Sequence, residues 1–294
     1  LYDLKGDAAR AFRHLQTGNR IAENQSAEMS ASGEGYVERV RRLRKYLQPG
    51  LRNVDLGGLG QHDPDAPIFL VGFPRSGTTL LEQILDSHPG LQSLEEKGTV
   101  SAMVRACEAR VECRETGLLD LTEADVAALR DVYFAEVAKH VKRAPGTRLV
   151  DKMPLNTVNV HLIWRMFPRA KFILAIRHPC DACFSCFMQS FLVNEAMANF
   201  FTLESGAQIY DEVMRTWLAV VEQLPIDYHR VRDGDLVGDF EGEPRALLTF
   251  LGVGWDDAVR GHTEHARQRG TISTPSYHQV TQPIYRHARY RWRR

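Results

Sequence analysis

Gly72-Phe73-Pro74-Arg75-Ser76-Gly77-Thr78-Thr79 has the G-x-x-x-x-G-x-[ST] frame of a phosphate-binding turn, where backbone N–H groups and a helix N-terminus cradle an anion. Ile68 to Val71 precede it as a short β-type run, and Leu80, Leu81, Ile84 and Leu85 follow at helical spacing. Strand, glycine turn and helix together make a phosphate-binding βα unit. A kinase or ATPase of this form places Lys directly after the second glycine, to reach the β- and γ-phosphates, and a hydroxyl on Mg²⁺. Thr78 stands at that lysine position instead. The fixed positive charge is Arg75, inside the turn, whose guanidinium can fork onto a single phosphate. Arg75, Ser76, Gly77, Thr78 and Thr79 are therefore the expected cradle of a ligand with one phosphate at that point.

Working outward, Leu149 to Val150 and Lys171 to Ile176 read as core strands, with helices expected at 156–166, 179–191 and 205–223. Tyr228 to Arg232 adds a strand, and Glu243 to Leu251 a helix. Strands alternating with helices imply an α/β fold: a P-loop-type parallel sheet flanked by helices. Before the turn, 49–67 is rich in Gly, Asp and Pro and behaves as a boundary. Upstream of it, 8–22 and 36–47 carry helical spacing, while 24–35 lacks periodicity and reads as a loop. The division expected is a short N-terminal helical appendage over 1–60, with the form of the end of a repeat array, and an α/β domain over 61–294. The helix pair also offers a surface for a protein partner.

The 294 residues are 44% hydrophobic and 25% charged, an ordinary globular composition, and Lys plus Arg equals Asp plus Glu at 37 each. That balance argues against a nucleic-acid partner, so any anion site must be local. The longest apolar runs fall far short of the ~20 residues a membrane helix needs, and no membrane span is expected. Leu1 opens the chain without a signal-like segment, as in a fragment or a processed chain. The five cysteines, at 107, 113, 180, 183 and 186, are an odd number in a chain large enough not to need staples, which favours a reducing, cytoplasmic compartment. Cys180, Cys183 and Cys186 have the C-x-x-C-x-x-C spacing of an iron–sulfur ligand set. Packing roles are the simpler expectation, with no metal.

The run Pro74 to Pro89, PRSGTTLLEQILDSHP, closely resembles the 5′-phosphosulfate loop of sulfotransferases that use 3′-phosphoadenosine 5′-phosphosulfate. It is most similar to the bacterial family often joined to tetratricopeptide repeats, and it also resembles the tyrosylprotein sulfotransferases. The resemblance continues in blocks to the C-terminus. It implies transfer of a sulfuryl group to a hydroxyl or amine acceptor, a small molecule or a tyrosyl peptide, without a metal. Arg177, at a strand exit, and Ser185, two turns along the next helix, match the pair that holds the donor's 3′-phosphate. Glu96 aligns with the catalytic base, and neighbouring residues in an extended loop should point opposite ways, so Glu96 rather than Glu95 is expected to face the donor. Lys152, in the DKMP-x-N motif just past a strand, matches the lysine that steadies the leaving group. The tail from Thr274 to Tyr285 and Arg291 to Arg294 resembles the segment that folds over the donor, with Ser276 and Arg291 as contacts.

Two stretches depart from the family pattern. Arg232-Asp-Gly-Asp-Leu-Val237 replaces an Arg-Tyr-Glu-Asp-Leu-Val element and loses an aromatic contact. Lys97 and Gly98 replace the arginine-containing stretch that tyrosylprotein enzymes use near an acidic peptide. The competing readings are a P-loop kinase, against which Thr78 argues, and a non-catalytic repeat-associated binding protein, against which the intact set Arg75, Glu96, Lys152, Arg177 and Ser185 argues.

Overall fold

Ile68-Phe-Leu-Val-Gly72 is apolar throughout, and it forms β1, a strand with every residue buried. A strand covered on both faces belongs in the middle of a parallel sheet, and β1 is the central one. The computed structural model describes residues 5–47, 66–110, 121–269 and 290–293, with Tyr2, Asp63 and Thr281. After helices α1 (Ala8–Gln25) and α2 (Ala27–Leu47), β1 leads through the phosphate turn into α3 (Thr78–Asp86) and β2 (Leu91–Glu95). Helices α4 (Thr99–Arg110) and α5 (Glu123–Ala138) precede β3 (Arg148–Lys152). A 3-10 turn (Pro154–Asn159) opens α6 (Val160–Met166), which is followed by β4 (Lys171–Ile176) and α7 (Pro179–Phe187). A further 3-10 turn (Met197–Phe200), α8 (Leu203–Gln223), β5 (Tyr228–Arg232), α9 (Asp233–Gly238), α10 (Gly242–Leu251) and α11 (His262–Arg269) complete the order.

The five strands pair in the order β2-β3-β1-β4-β5, all parallel, as the alternation of strands and helices implied. From β1 the chain moves towards β2, whereas from β4 it moves the opposite way to β5. The crevice of such a sheet opens between the carboxyl ends of strands whose connections diverge, here β1 and β4. Alternate strand residues face two cores. Phe69, Val71, Leu149, Phe172 and Leu174 pack with Tyr133, Phe167 and Trp217 on one face; Ile68, Leu70, Val150, Ile173 and Val231 pack with Ile84, Leu85, Leu247 and Leu248 on the other.

Four expectations need correction. The stretch 24–35 is no loop: α1 runs to Gln25, and α2 begins at Ala27. Gly33 serves close approach here, since a Cβ on it would lie 3.2 Å from the Ala198 Cβ, and its carbonyl accepts from Asn199 Nδ2 at 3.2 Å. Tertiary contact thus overrides weak propensity. The segment ending at Glu95 is strand β2 rather than an extended loop. Helix α7 stops at Phe187, short of Phe191, and 154–159 is a 3-10 turn. Helix α2 buries Val37 and Val40 beside Phe73, Ile209 and Val213, and Arg41 and Arg44 donate to the two Glu212 carboxylate oxygens at 2.9 and 3.0 Å. The boundary expected near residue 60, and Cys113, lie outside the described residues.

Candidate active site

The turn after β1 is held by backbone geometry that few residues tolerate. A Cβ at Gly72 would stand 2.4 Å from the Ala175 carbonyl oxygen on β4, so only glycine permits this strand spacing. Gly77 caps α3 in the left-handed region at φ +88°. Arg75, which has a Cβ, is also left-handed at φ +67°. Such strain in a side-chain-bearing residue collects at functional sites. Thr157 Oγ donates to the Gly72 carbonyl at 2.9 Å, tying the turn to the segment after β3. The Ser76 N–H donates to Phe73 O at 3.2 Å, and Ser76, Thr78 and Thr79 are buried.

The structure joins this turn to the second expected anion site. Arg75 Nε donates to Ser185 Oγ at 3.2 Å, and Arg177 Nη1 donates to the Arg75 carbonyl at 3.2 Å. Arg177 Nε also lies 3.5 Å from Asp233 Oδ2. The other Asp233 oxygen would stand 2.8 Å from a Cβ on Gly77, so this carboxylate sits over the start of α3. Beside it opens a cleft of about 290 Å³, lined by Arg177, His178, Asp181, Arg232, Asp233 and Tyr290 among others.

A second cluster forms at the carboxyl ends of β2 and β3. Lys152 Nζ lies 2.8 Å from Glu96 Oε1, 3.1 Å from Glu82 Oε2 and 3.9 Å from Glu95 Oε1. The Lys152 and Glu82 side chains are 0% exposed, whereas Glu96 is 35% exposed. Burial alone would lower the Lys152 ammonium, but the carboxylates of Glu82, Glu96 and Glu95 outweigh it and the net shift is upward. The expected alternation at Glu95 and Glu96 fails. Glu96 adopts φ +44°, its N–H donates to the Lys152 carbonyl at 2.8 Å, and both side chains turn towards Lys152. On the opposite sheet face, Asp151 accepts from Thr99 Oγ at 2.6 Å and Tyr133 OH at 2.8 Å.

The chain end returns to the same crevice. Asp181, in the first turn of α7, accepts from the backbone N–H groups of Tyr290 and Arg291 at 2.7 and 2.8 Å. The Trp292 ring stacks on His178 with centroids 5.2 Å apart. Arg291 is thus placed beside the cleft by its backbone; Ser276 and the stretch 274–280 lie outside the described residues. Along α7, the Cys183 thiol donates to Gly206 O at 3.6 Å and Cys186 to Pro74 O at 3.5 Å. Burial pushes Cys183 up to about 11 and raises Cys186 further, so both thiols act here as neutral hydrogen-bond donors. No cluster of three metal-ligating side chains occurs among the described residues.

The model of the "Sulfotransferase family" matches residues 67–257, which span the sheet, the turn and both clusters. The chain belongs to the sulfotransferase family. An uncharacterized protein of Aquifex aeolicus is 32% identical over 99% of this sulfotransferase, which spans 38% of the length of that relative. Protein-tyrosine sulfotransferase 1 of Danio rerio is 28% identical over 79% of this chain and 67% of its own. In fold it matches the sulfotransferase domain of the Synechococcus PCC 7002 olefin synthase, with a TM-score of 0.52 and 24% identity, over 82% of this chain and 91% of that one.

Sequence reasoning missed Glu82, Asp181 and Asp233 as parts of this sulfotransferase's crevice. Glu82 sits between the apolar pairs of α3, where helical spacing assigns it to solvent, yet α3 is covered on that side too. The signal available was its place as the sole acid between Thr78 and Leu85. For Asp233 the signal was the departure itself, an acid in place of the family's Tyr.

Proposed function

We propose that this sulfotransferase moves a sulfuryl group from 3′-phosphoadenosine 5′-phosphosulfate to a hydroxyl or amine acceptor. The observation that carries the reading is the contact between the two anion-binding segments, Arg75 with Ser185 and Arg177 with the Arg75 carbonyl. Two phosphate-binding arginines held against one another suit a ligand with two separate phosphates on one nucleoside better than a linear triphosphate. The 5′-phosphosulfate would lie on Arg75, Ser76, Gly77, Thr78 and Thr79, the 3′-phosphate on Arg177 and Ser185, and Ser276 and Arg291 would close over the donor. The Asp233 carboxylate faces Gly77 at the start of α3, so on this reading it would turn aside for such an anion.

In this mechanism the acceptor oxygen attacks sulfur in line, forming the new S–O bond as the bond from sulfur to the bridging phosphate oxygen breaks. Glu96 takes the acceptor proton. Lys152 offsets the charge that develops on the bridging oxygen. No metal has a part. Lys152 Nζ donates to Glu96 Oε1 at 2.8 Å, and on this reading donor and acceptor would separate the pair on binding.

The same proposal takes residues 1–60 as a helical appendage, the end of a repeat array whose free face binds a protein partner, and 61–294 as the catalytic domain. Its acceptor is a small molecule or a tyrosyl peptide. A reducing, cytoplasmic setting accords with the free thiols of Cys107, Cys180, Cys183 and Cys186. No helix among the described residues is long and apolar enough to cross a membrane.

Calorimetry with 3′-phosphoadenosine 5′-phosphate and with ATP, each with and without Mg²⁺, tests the donor. Tight metal-independent binding of the bisphosphate is expected. A preference for ATP with Mg²⁺ would return the kinase reading, and binding of neither would leave a non-catalytic binding protein.

A further inference from the structure

Lys152 holds more carboxylates than one reaction needs. Among the described residues, Glu82 on α3, Glu95 on β2 and Glu96 just beyond it face its ammonium, while the neighbouring Asp151 carboxylate points to the other face of the sheet. Glu96 must turn to an acceptor if it is to take a proton, and that removes the shortest contact, 2.8 Å. Glu95 stands at 3.9 Å, beyond hydrogen-bond distance. Glu82 remains at 3.1 Å, with both partners fully buried.

We propose that Glu82 is a positioning residue, the one that keeps the Lys152 ammonium in place while Glu96 serves the acceptor; this rests on the sulfuryl-transfer reading. Ser93 Oγ donates to Glu82 Oε1 at 2.9 Å, which leaves the other carboxylate oxygen directed at Lys152. Glu82 also belongs to the helix that begins at the phosphate turn. From Gly77 to Glu82 is five residues, about 7.5 Å of helix rise, so a single rigid element sets the separation between the anion cradle and the lysine's anchor. Without that anchor a buried ammonium gives up its proton easily, since burial is the largest influence acting to lower it. A neutral amine cannot offset charge on a leaving oxygen.

The test follows Lys152 itself in the full chain labelled with ¹³C-lysine, its resonance assigned with Lys152→Arg. Glu82→Gln keeps the shape and removes the charge. The Lys152 midpoint is expected to fall by about one pH unit or more in this variant. Ser93→Ala should move it in the same direction by less, and it carries the test if Glu82→Gln does not fold. An unchanged Lys152 titration overturns the proposal even where thermal stability drops, because a merely structural role would lower stability alone. This measurement needs no donor, so it stands apart from the calorimetry that tests the reaction itself. With labelled 3′-phosphoadenosine 5′-phosphosulfate, kcat should fall about tenfold in Glu82→Gln with donor KM unchanged. A rise in KM alone would overturn the assignment.

Discussion

At Asp233 a carboxylate lies 3.5 Å from the Arg177 guanidinium, so a phosphate arriving at Arg177 meets an anion already paired there. Asp233→Asn is expected to tighten binding of 3′-phosphoadenosine 5′-phosphate about fivefold, about 1 kcal/mol for a partly solvated pair. Calorimetry reads the change, and weaker binding would mean that the carboxylate itself holds the nucleoside. Glu96→Gln keeps the contact to Lys152 but cannot accept a proton. Turnover of labelled donor should fall about 10²- to 10⁴-fold with affinity for the bisphosphate retained, and full activity would remove Glu96 as the base. At this scale the sequence pointed to Arg75 by residue type and position in the turn, and to Arg177, Ser185 and Lys152 by family resemblance; the structure brings Arg75, Arg177 and Ser185 into contact. The sequence was not legible where orientation depends on one backbone angle, as at Glu96, or where a polar side chain on a helix turns out to be buried, as at Glu82.

Gly72 is the tightest point between elements. Gly72→Ala would drive a Cβ to 2.4 Å from the Ala175 carbonyl oxygen, and backbone cannot yield as a flexible side chain does. Separation of β1 from β4 at their carboxyl ends should cost about 2 kcal/mol or more, measured by urea unfolding; a loss below about 0.5 kcal/mol would show that the strands part without penalty. The strands β1, β3 and β4 could be read from their apolar runs, because parallel strands are covered on both faces. β2 could not. Its Gln92 clasps an outer loop, donating to Lys142 O at 3.1 Å and accepting from Ala144 N at 2.9 Å, and its Ser93 serves Glu82, so polar residues broke the pattern. Nor could the continuous α2, whose first turns hold against the segment around Ala198 by contacts distant in sequence.

Across the whole molecule, two buried groups oppose one another in pH. Burial raises Asp151 to about 6 from 3.8, and burial lowers His161 to about 4 from 6.5. Asp151 binds its proton more tightly when folded, so its contribution is complete below its unfolded value and is lost as pH rises through about 6. His161 binds its proton more weakly when folded, so its contribution grows as pH rises from about 4 to 6.5. The opposed slopes largely cancel. Asp151→Asn removes one of them, and from pH ~4.5 to ~6.5 the variant should gain about 2 kcal/mol relative to the parent chain in urea unfolding. Parallel profiles would place the Asp151 proton elsewhere. The central position of β1 has a consequence for synthesis as well. Its partners β3 and β4 lie far downstream, Gly72 pairing with Ala175, so at roughly 5–20 residues per second β1 leaves the ribosome about 5 to 20 seconds before the sheet can form around it. During that interval Ile68-Phe-Leu-Val, buried throughout in the finished fold, is an exposed adhesive stretch of the kind that chaperones shelter on a nascent chain.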